Sequence, residues 1–196
     1  EKSMQAVHIP LMRGLLGDRI CVIHRDLQPL FSTIESMQDW HKISIGQGMG
    51  WSDVGILKAA GFEVYESGYE TLLRMLEIGR FGCFLRGVNE AHSEVLQGLS
   101  LFPDIAVESD VMLVYPFAMF FFVSRNNLQL AQLIEKGLKA AYADGSFIDY
   151  FESHPSIRQI FEDVNMDLRR RFDIDNPLLS DETRNIPSLY WHGTAQ

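Results

Sequence analysis

The chain has 196 residues, enough to bury the hydrophobic core of one or two domains. Its composition, 46% hydrophobic and 22% charged, is typical of a globular protein. The net charge of -9 argues against a nucleic-acid partner, because phosphate binding requires a basic surface. The basic run Arg169-Arg170-Arg171 lies among acidic neighbours, which favours a solvated helix end over a binding patch.

Two cysteines and six histidines are the residues that would most readily form cross-links or bind metals. Cys21 and Cys83 each lie in an apolar run, which favours two buried thiols over a disulfide. The histidines are scattered singly, so the sequence predicts no metal site and no cofactor.

Apolar runs and turn residues predict the following elements in chain order. After an irregular start (1–18), strands 19–25, 42–45, 62–65 and 81–85 alternate with helices 30–38, 52–60, 69–78 and 89–96. A capping box at 67–70 is expected to start the third helix, and Gly61 and Gly79 are expected to end the second and third.

The second half of the chain opens with its most apolar run, residues 111–123. This run is too short for a membrane helix and contains Pro116, so it is predicted to be two buried strands that meet at a bend. Helices are predicted at 126–143, 146–153 and 156–171. Residues 172–196 are expected to form an extended tail, anchored by Leu189, Tyr190 and Trp191.

The alternation between residues 42 and 90 predicts a compact β-α-β-α-β unit with parallel strands. Ligands of such sheets bind at the carboxyl ends of the strands, beside helix N-termini. Two segments follow strands in this way: GQGMGWSD (46–53) and RGVNE (86–90). We expect them to be adjacent.

The glycine-rich turn at 46–53 leads into a helix, and helix starts present unpaired N–H groups with a partial positive charge. The turn is therefore suited to bind a carboxylate or a phosphate. Trp51 has two interpretations. It covers an apolar or cationic part of the ligand, or it packs under a loop while the glycines only make the turn.

A dinucleotide site is the rival interpretation, because Gly46 and Gly48 match the first two positions of G-x-G-x-x-G and Glu66 lies at the distance of a ribose-binding acid. Trp51 stands at the third position, where a small residue is required. No nucleophile with a partnering histidine follows a strand, so no catalytic residue is predicted. Glu90 beside Arg86 has two interpretations: a functional acid next to a positive charge, or one half of a surface ion pair.

The segment KISIGQGMGWSDVGILKAAGFEV resembles the opening of the second lobe in type II periplasmic solute-binding proteins, in the group that binds amino acids. Two further segments, YETLLRMLEIGRF and YPFAMFFFVSRNNLQLAQLIEKGLKAAYADGSFIDYF, are similar to the next helix and to the return strand with its long helix. The resemblance runs from about residue 8 to about residue 152. It implies an α/β fold of this class, with one complete lobe on a sheet of the parallel type plus C-terminal helices.

The resemblance also implies a division of the chain. Residues 1–18 are the end of lobe one and the first hinge crossing, 19–125 are lobe two with the hinge strands, 126–171 are C-terminal helices, and 172–196 are the tail. Most of the family's first lobe has no counterpart here. The apolar faces of helices 126–171 are therefore expected to pack on another copy, on the tail or on nothing, and a homodimer is predicted.

In this family, backbone amides at the turn before the first helix of lobe two hold the ligand's carboxylate. That turn corresponds to Met49, Gly50 and Trp51, and Ser52 adds a hydroxyl donor. The resemblance thus implies a carboxylate site at the start of the helix.

The family usually holds the ligand's ammonium with an acid after the third strand, and this position is Gly87 here. Arg86 precedes it, which favours a second anionic group on the ligand unless Glu90 replaces the missing acid. Asn89 and Tyr115 complete the predicted ligand-binding set.

The resemblance implies an extracytoplasmic solute-binding or sensor domain without catalysis, which closes on a small anionic or zwitterionic molecule such as an amino acid. It implies a periplasmic or extracellular location, and a membrane transporter or signalling protein as partner. No signal peptide is visible after Glu1, which leaves room for a removed upstream segment. Two alternatives stay open: a ligand-free scaffold of the same fold, and a nucleotide-dependent α/β enzyme.

Overall fold

A computed structural model describes residues 3–98 and 100–192 of the chain. Its strands are β1 (Met4–Val7), β2 (Asp18–His24), β3 (Ile45–Gly48), β4 (Val64–Ser67), β5 (Cys83–Gly87), β6 (Ile105–Val107), β7 (Val111–Val114), β8 (Phe121–Ser124) and β9 (Arg170–Asp173). Its α-helices are α1 (Gln28–Ser32), α2 (Met37–Trp40), α3 (Ser52–Ala59), α4 (Tyr69–Glu77), α5 (Ala91–Gly98), α6 (Leu128–Ala143), α7 (Ser146–Ser153), α8 (Pro155–Val164) and α9 (Asp181–Arg184).

Seven of these strands form one mixed sheet in the order β4-β3-β5-β2-β7-β9, with β6 also paired to β2. β3 is parallel to β4 and β5, and β7 is parallel to β9, whereas β2 is antiparallel to its neighbours. The predicted β-α-β-α-β unit is therefore confirmed as β3-α3-β4-α4-β5. The carboxyl ends of β3, β5 and β7 lie at one edge with the start of β2, and we call this the carboxyl edge.

Helices cover both faces of the large sheet. On one face α3 packs with Trp40 and Ile45 in a cluster that includes Ile56. On the other face α4, α5 and α8 bury a second cluster that includes Leu76 and Phe84. Both faces are apolar because parallel strands between two helical layers have no solvent side.

Strand β3 begins at Ile45 and contains two glycines of the GQGMGWSD segment, so the predicted strand 42–45 was placed too early. A Cβ atom at Gly46 would lie 2.2 Å from the Phe81 ring, and one at Gly48 would lie 2.1 Å from the Trp51 indole. The glycines therefore let two aromatic rings lie directly on the strand.

The prediction of two separate thiols is wrong, because Cys21 of β2 and Cys83 of β5 form a disulfide with their Cα atoms 5.2 Å apart. Cys21 pairs in register with Leu85, so Cys83 is its diagonal neighbour on the same face. Both cysteines are fully buried. Their runs are apolar, as expected, but the neighbouring strands also bring the two sulfur atoms together.

The prediction that Arg169-Arg170-Arg171 ends a solvated helix is also wrong. Helix α8 ends at Val164, and Asn165 follows in the left-handed conformation with φ 51°. Arg169 is buried and bonds to Glu108, while the next two arginines belong to β9, which pairs with β7. Tertiary pairing thus overrides the helical pattern after residue 165.

Two predicted helix starts differ from the structure. Ser67 is the last residue of β4, and Gly68 precedes α4 without a side-chain cap, so the predicted capping box is absent there. A capping box forms instead between Ser36 and Asp39 at the start of α2. It divides the predicted helix 30–38 into the two short helices α1 and α2.

Strands β1 and β8 pair outside the large sheet as a two-stranded sheet. The prediction of a second buried strand is wrong for β8, where Phe121 and Phe122 are 47% and 55% exposed. Helix α6 likewise exposes Leu128 and Leu133, at 59% and 67%. The homodimer that these faces suggest stays a prediction. No helix within the described ranges is long and apolar enough to cross a membrane.

The tail packs on the body through two of its three predicted anchors. The Tyr190 ring meets the Tyr142 ring edge-on at 4.7 Å, and Trp191 lies against Gly14. Leu189 is 54% exposed and is not an anchor.

Candidate functional site

The turn between β3 and α3 presents free backbone donors at the carboxyl edge. Gly50 has φ 78°, a left-handed conformation that turns the chain into the helix. Within the described residues, the N–H groups of Ser52 and Asp53 donate to no other protein group. Met49 is 72% exposed at the tip of the turn. The N–H groups of Met49 and Trp51 donate to other backbone carbonyls, whereas those of Gly50, Ser52 and Asp53 stay free, among the described residues, for the predicted carboxylate.

Trp51 packs into the edge of the core. Its indole lies on Gly48, stacks on Phe84 at 6.4 Å and has the Arg86 guanidinium 4.6 Å from its centre. This is the packing interpretation of Trp51, and its role as a ligand cover stays a prediction. The indole also fills the space over Gly48 that a pyrophosphate would need, which argues against the dinucleotide alternative.

Arg86 is buried, and its guanidinium is already paired within the chain. Nε and Nη2 donate to the two carboxylate oxygens of Glu94 at 2.7 and 2.6 Å, and Nη2 lies 3.1 Å from Glu90 Oε2. The predicted contact between Arg86 and a second acidic group of a ligand stays a prediction, and it would require the Arg86–Glu94 ion pair to break. The sequence analysis did not single out Glu94, although the helix predicted at 89–96 places Glu90 and Glu94 on one face.

A second buried arginine at this edge was also missed. Arg19, at the start of β2, pairs with Asp53 at 2.7 Å and lies over the Tyr115 ring at 5.5 Å. The Tyr115 hydroxyl donates to Asp53, and burial raises the pKa of Tyr115 well above its ordinary value. Tyr115 is only 1% exposed, so it supports Asp53 and the first turn of α3 instead of facing a ligand.

Glu90 lies between the two arginines. Its Oε2 atom is 3.1 Å from Arg86 Nη2, 4.0 Å from Arg19 Nη1 and 3.2 Å from the Gly87 nitrogen, whose N–H donates to it. A Cβ atom at Gly87 would lie 2.6 Å from Asn89 Oδ1 and 3.2 Å from Glu90 Oε2. Asn89 and Glu90 thus fill the space that a side chain at Gly87 would occupy.

These contacts form an ionic chain of five side chains along the carboxyl edge: Asp53, Arg19, Glu90, Arg86 and Glu94. Three carboxylates face two guanidinium groups, which leaves one negative charge. The Glu90 side chain is 33% exposed, the most accessible of the five. The surplus charge is therefore available to a cationic group.

Asp18 precedes Arg19 and faces the opposite side of β2. Burial raises the pKa of Asp18 to about 6, while Arg171 lowers it and Asp173 raises it. Since the folded protein holds this proton more tightly than the unfolded chain, stability contributed by the neutral form is lost as pH rises from about 4 to about 6.

The free energy of unfolding of Asp18→Asn, relative to that of the parent, is therefore expected to rise by about 1–2 kcal/mol between pH 4 and pH 8. This value is already reduced for partial solvent screening. Urea denaturation at both pH values measures this difference. Asp26→Asn is the control, because its side chain is 83% exposed. A difference between Asp18→Asn and the parent that does not change with pH would contradict the shifted titration.

No protein-family model and no curated protein matches this sequence. Among solved structures, an ancestral arginine-binding protein bound to glutamine has a TM-score of 0.53 at 18% identity, over 79% of this chain and 65% of its own. An arginine transport system periplasmic binding protein from Legionella pneumophila has a TM-score of 0.51 at 15% identity, over 78% and 66%. An amino acid ABC transporter substrate-binding protein from Streptococcus pneumoniae bound to L-arginine has a TM-score of 0.51 at 12% identity, over 77% and 60%.

The shared architecture confirms the predicted fold class: an α/β protein with a mixed sheet and helices on its faces, built like the periplasmic amino-acid-binding proteins. The chain spans 60–66% of the length of these three structures. At such identities the likeness establishes the fold, and function depends on the chain's own site.

Proposed function

We propose that this protein is an extracytoplasmic solute-binding or sensor domain that binds a small zwitterionic molecule at the carboxyl edge. Two complementary groups support the proposal: free N–H donors at the start of α3 and the surplus carboxylate of Glu90. Arg19 contacts both Asp53 of α3 and Glu90, so the two groups belong to one edge. A ligand carboxylate would bind at Ser52 and its ammonium at Glu90.

The fold neighbours support solute binding, since their names include arginine and glutamine as ligands. The buried Cys21–Cys83 disulfide supports a periplasmic or extracellular location, because such bonds persist in oxidising compartments. The partner would then be a membrane transporter or a signalling protein.

Glu90→Gln is the variant that tests the site. It keeps the shape of the side chain and removes the negative charge, so amino-acid binding is expected to weaken by roughly 10- to 100-fold, the size of a charge-assisted contact. Calorimetry would compare L-glutamine with its analogue that lacks the ammonium group. Only the zwitterion is expected to lose affinity.

Glu135→Gln on α6 is the matched control, because Glu135 makes an exposed pair with Lys139 far from the site in sequence. Equal losses for the zwitterion and its analogue in Glu90→Gln would remove Glu90 as the ammonium-binding group. Absence of binding across a panel of amino acids and carboxylates would overturn the proposal itself.

A ligand-free scaffold is the second candidate function, and one observation favours it. Both buried arginines of the ionic chain already have carboxylate partners, and Trp51 fills its own niche. Ion pairs of this kind hold the two buried arginines in place without a ligand. The same panel distinguishes the candidates, because a scaffold would show no ligand-dependent rise in melting temperature.

A further inference from the structure

The tail forms one wall of a cavity next to the start of α3. The cavity measures about 360 Å³ and lies between α3, the segment after β7 and tail residues 176–183. Ser52 lies at its α3 side, and most of the remaining lining is apolar, including Ile56, Phe117, Phe120 and Leu178. Pockets of about this size with an apolar lining and a few polar groups are typical of small-molecule sites.

The tail is fixed to the body at this place. Asn176 is 4% exposed, and its Nδ2 donates to the Pro116 carbonyl at 2.8 Å while its Oδ1 accepts the Leu178 N–H at 3.0 Å. Arg184 donates to the Asn176 carbonyl at 3.1 Å. A Cβ atom at Gly55 would lie 2.9 Å from Leu178, so α3 is shaped to receive this side chain. The wall is therefore part of the folded structure.

The lining also indicates which chemical group fits. No Asp, Glu, Lys or Arg is among the described residues that line the cavity, so a guanidinium or an ammonium would have no carboxylate partner there. His8 and Phe120 meet edge-on at 5.3 Å, which adds an aromatic surface to the wall. An aromatic or branched aliphatic group suits this lining.

We propose that the solute is an amino-acid-like carboxylate whose apolar or aromatic side group enters this cavity under the tail. The proposal rests on the proposed function for the carboxylate, which would bind at Ser52 at the edge of the same cavity. The tail residues, Leu178 above all, then set the specificity. They lie beyond residue 152, where the resemblance in sequence ends.

Calorimetry of the full chain with L-phenylalanine, L-alanine and benzyl alcohol tests this proposal. L-Phenylalanine is expected to bind at least 10-fold more tightly than L-alanine, because its ring leaves water. Leu178→Trp, which fills the cavity from an exposed position, is expected to abolish this preference. Leu178→Ala widens the cavity and is expected to reduce the preference, whereas Leu189→Ala, an exposed tail position outside the lining, is the control.

The probes separate the two proposals. Equal affinity for L-phenylalanine and L-alanine, unchanged in Leu178→Trp, would overturn the cavity assignment and leave the proposed function standing. Binding of benzyl alcohol that Leu178→Trp removes, without binding of either amino acid, would support the cavity and overturn the proposed function. No binding of any probe would overturn both.

Discussion

Arg169→Met is expected to lower the free energy of unfolding by about 3–5 kcal/mol, the cost of leaving a buried charge without its partner. Arg169 Nη1 donates to Glu108 Oε1 at 2.6 Å, Nη2 donates to the Glu108 carbonyl at 2.6 Å, and Nε donates to the Val164 carbonyl at 2.7 Å. Glu108 is 0% exposed. Urea denaturation at pH 7 measures the loss.

The loss is expected to depend on pH. Burial raises the pKa of Glu108, while Arg169 lowers it, so removal of Arg169 raises this pKa further. A carboxyl group with a raised folded-state pKa contributes stability below its unfolded pKa, which is lost as pH rises towards the folded value. The deficit of Arg169→Met should therefore be full at pH 7 and shrink as the pH falls towards 4.5, the ordinary value.

Two further variants keep this prediction specific. Arg171→Met is the control, because Arg171 pairs with an exposed aspartate, Asp173, and should cost less than about 1 kcal/mol. Glu108→Gln combined with Arg169→Met removes both charges and should recover part of the loss. Similar losses of stability for the two single arginine variants would contradict this prediction, because the buried Arg169–Glu108 pair would then stabilise the fold no more than the exposed Arg171–Asp173 pair.

Replacing Cys21 and Cys83 together with alanine is expected to cost about 2–4 kcal/mol of stability. The disulfide closes a loop with a sequence separation of 62 residues and restricts the unfolded chain accordingly. Both sulfur atoms are buried between β2 and β5, so the substitution also removes packing at the centre of the sheet. Urea denaturation with and without a reductant measures the two contributions.

The double alanine variant is the control for the reductant, because it has no cross-link to lose. The parent should lose stability when it is unfolded and refolded in reductant, and the variant should not respond. A parent protein whose stability is the same in both conditions, with free thiols by chemical labelling, would contradict the disulfide. It would also remove the support for an oxidising compartment.

Elements whose signals are local could be predicted from the amino-acid sequence. Helix α7 was predicted at its observed bounds, and Gly61 and Gly79 end helices with φ 88° and 70°, because a left-handed residue suits glycine wherever the chain folds. The β-α-β-α-β unit was predictable for a similar reason, since its alternating pattern leaves few other topologies. The candidate site at the end of β3 was predicted from that unit.

The partners of individual side chains were decided by the tertiary structure. Cys21 and Cys83 are neighbours, and Arg169 meets Glu108, only because the strand order places segments from distant parts of the chain side by side. The sequence pattern left Arg86 free for a ligand, whereas α5 places Glu94 against it in the structure. Leu178 lines the cavity because the tail crosses α3. The order of the strands and the path of the tail depend on which whole faces are buried against each other. These contacts join residues far apart in the chain, so a local sequence pattern does not predict them.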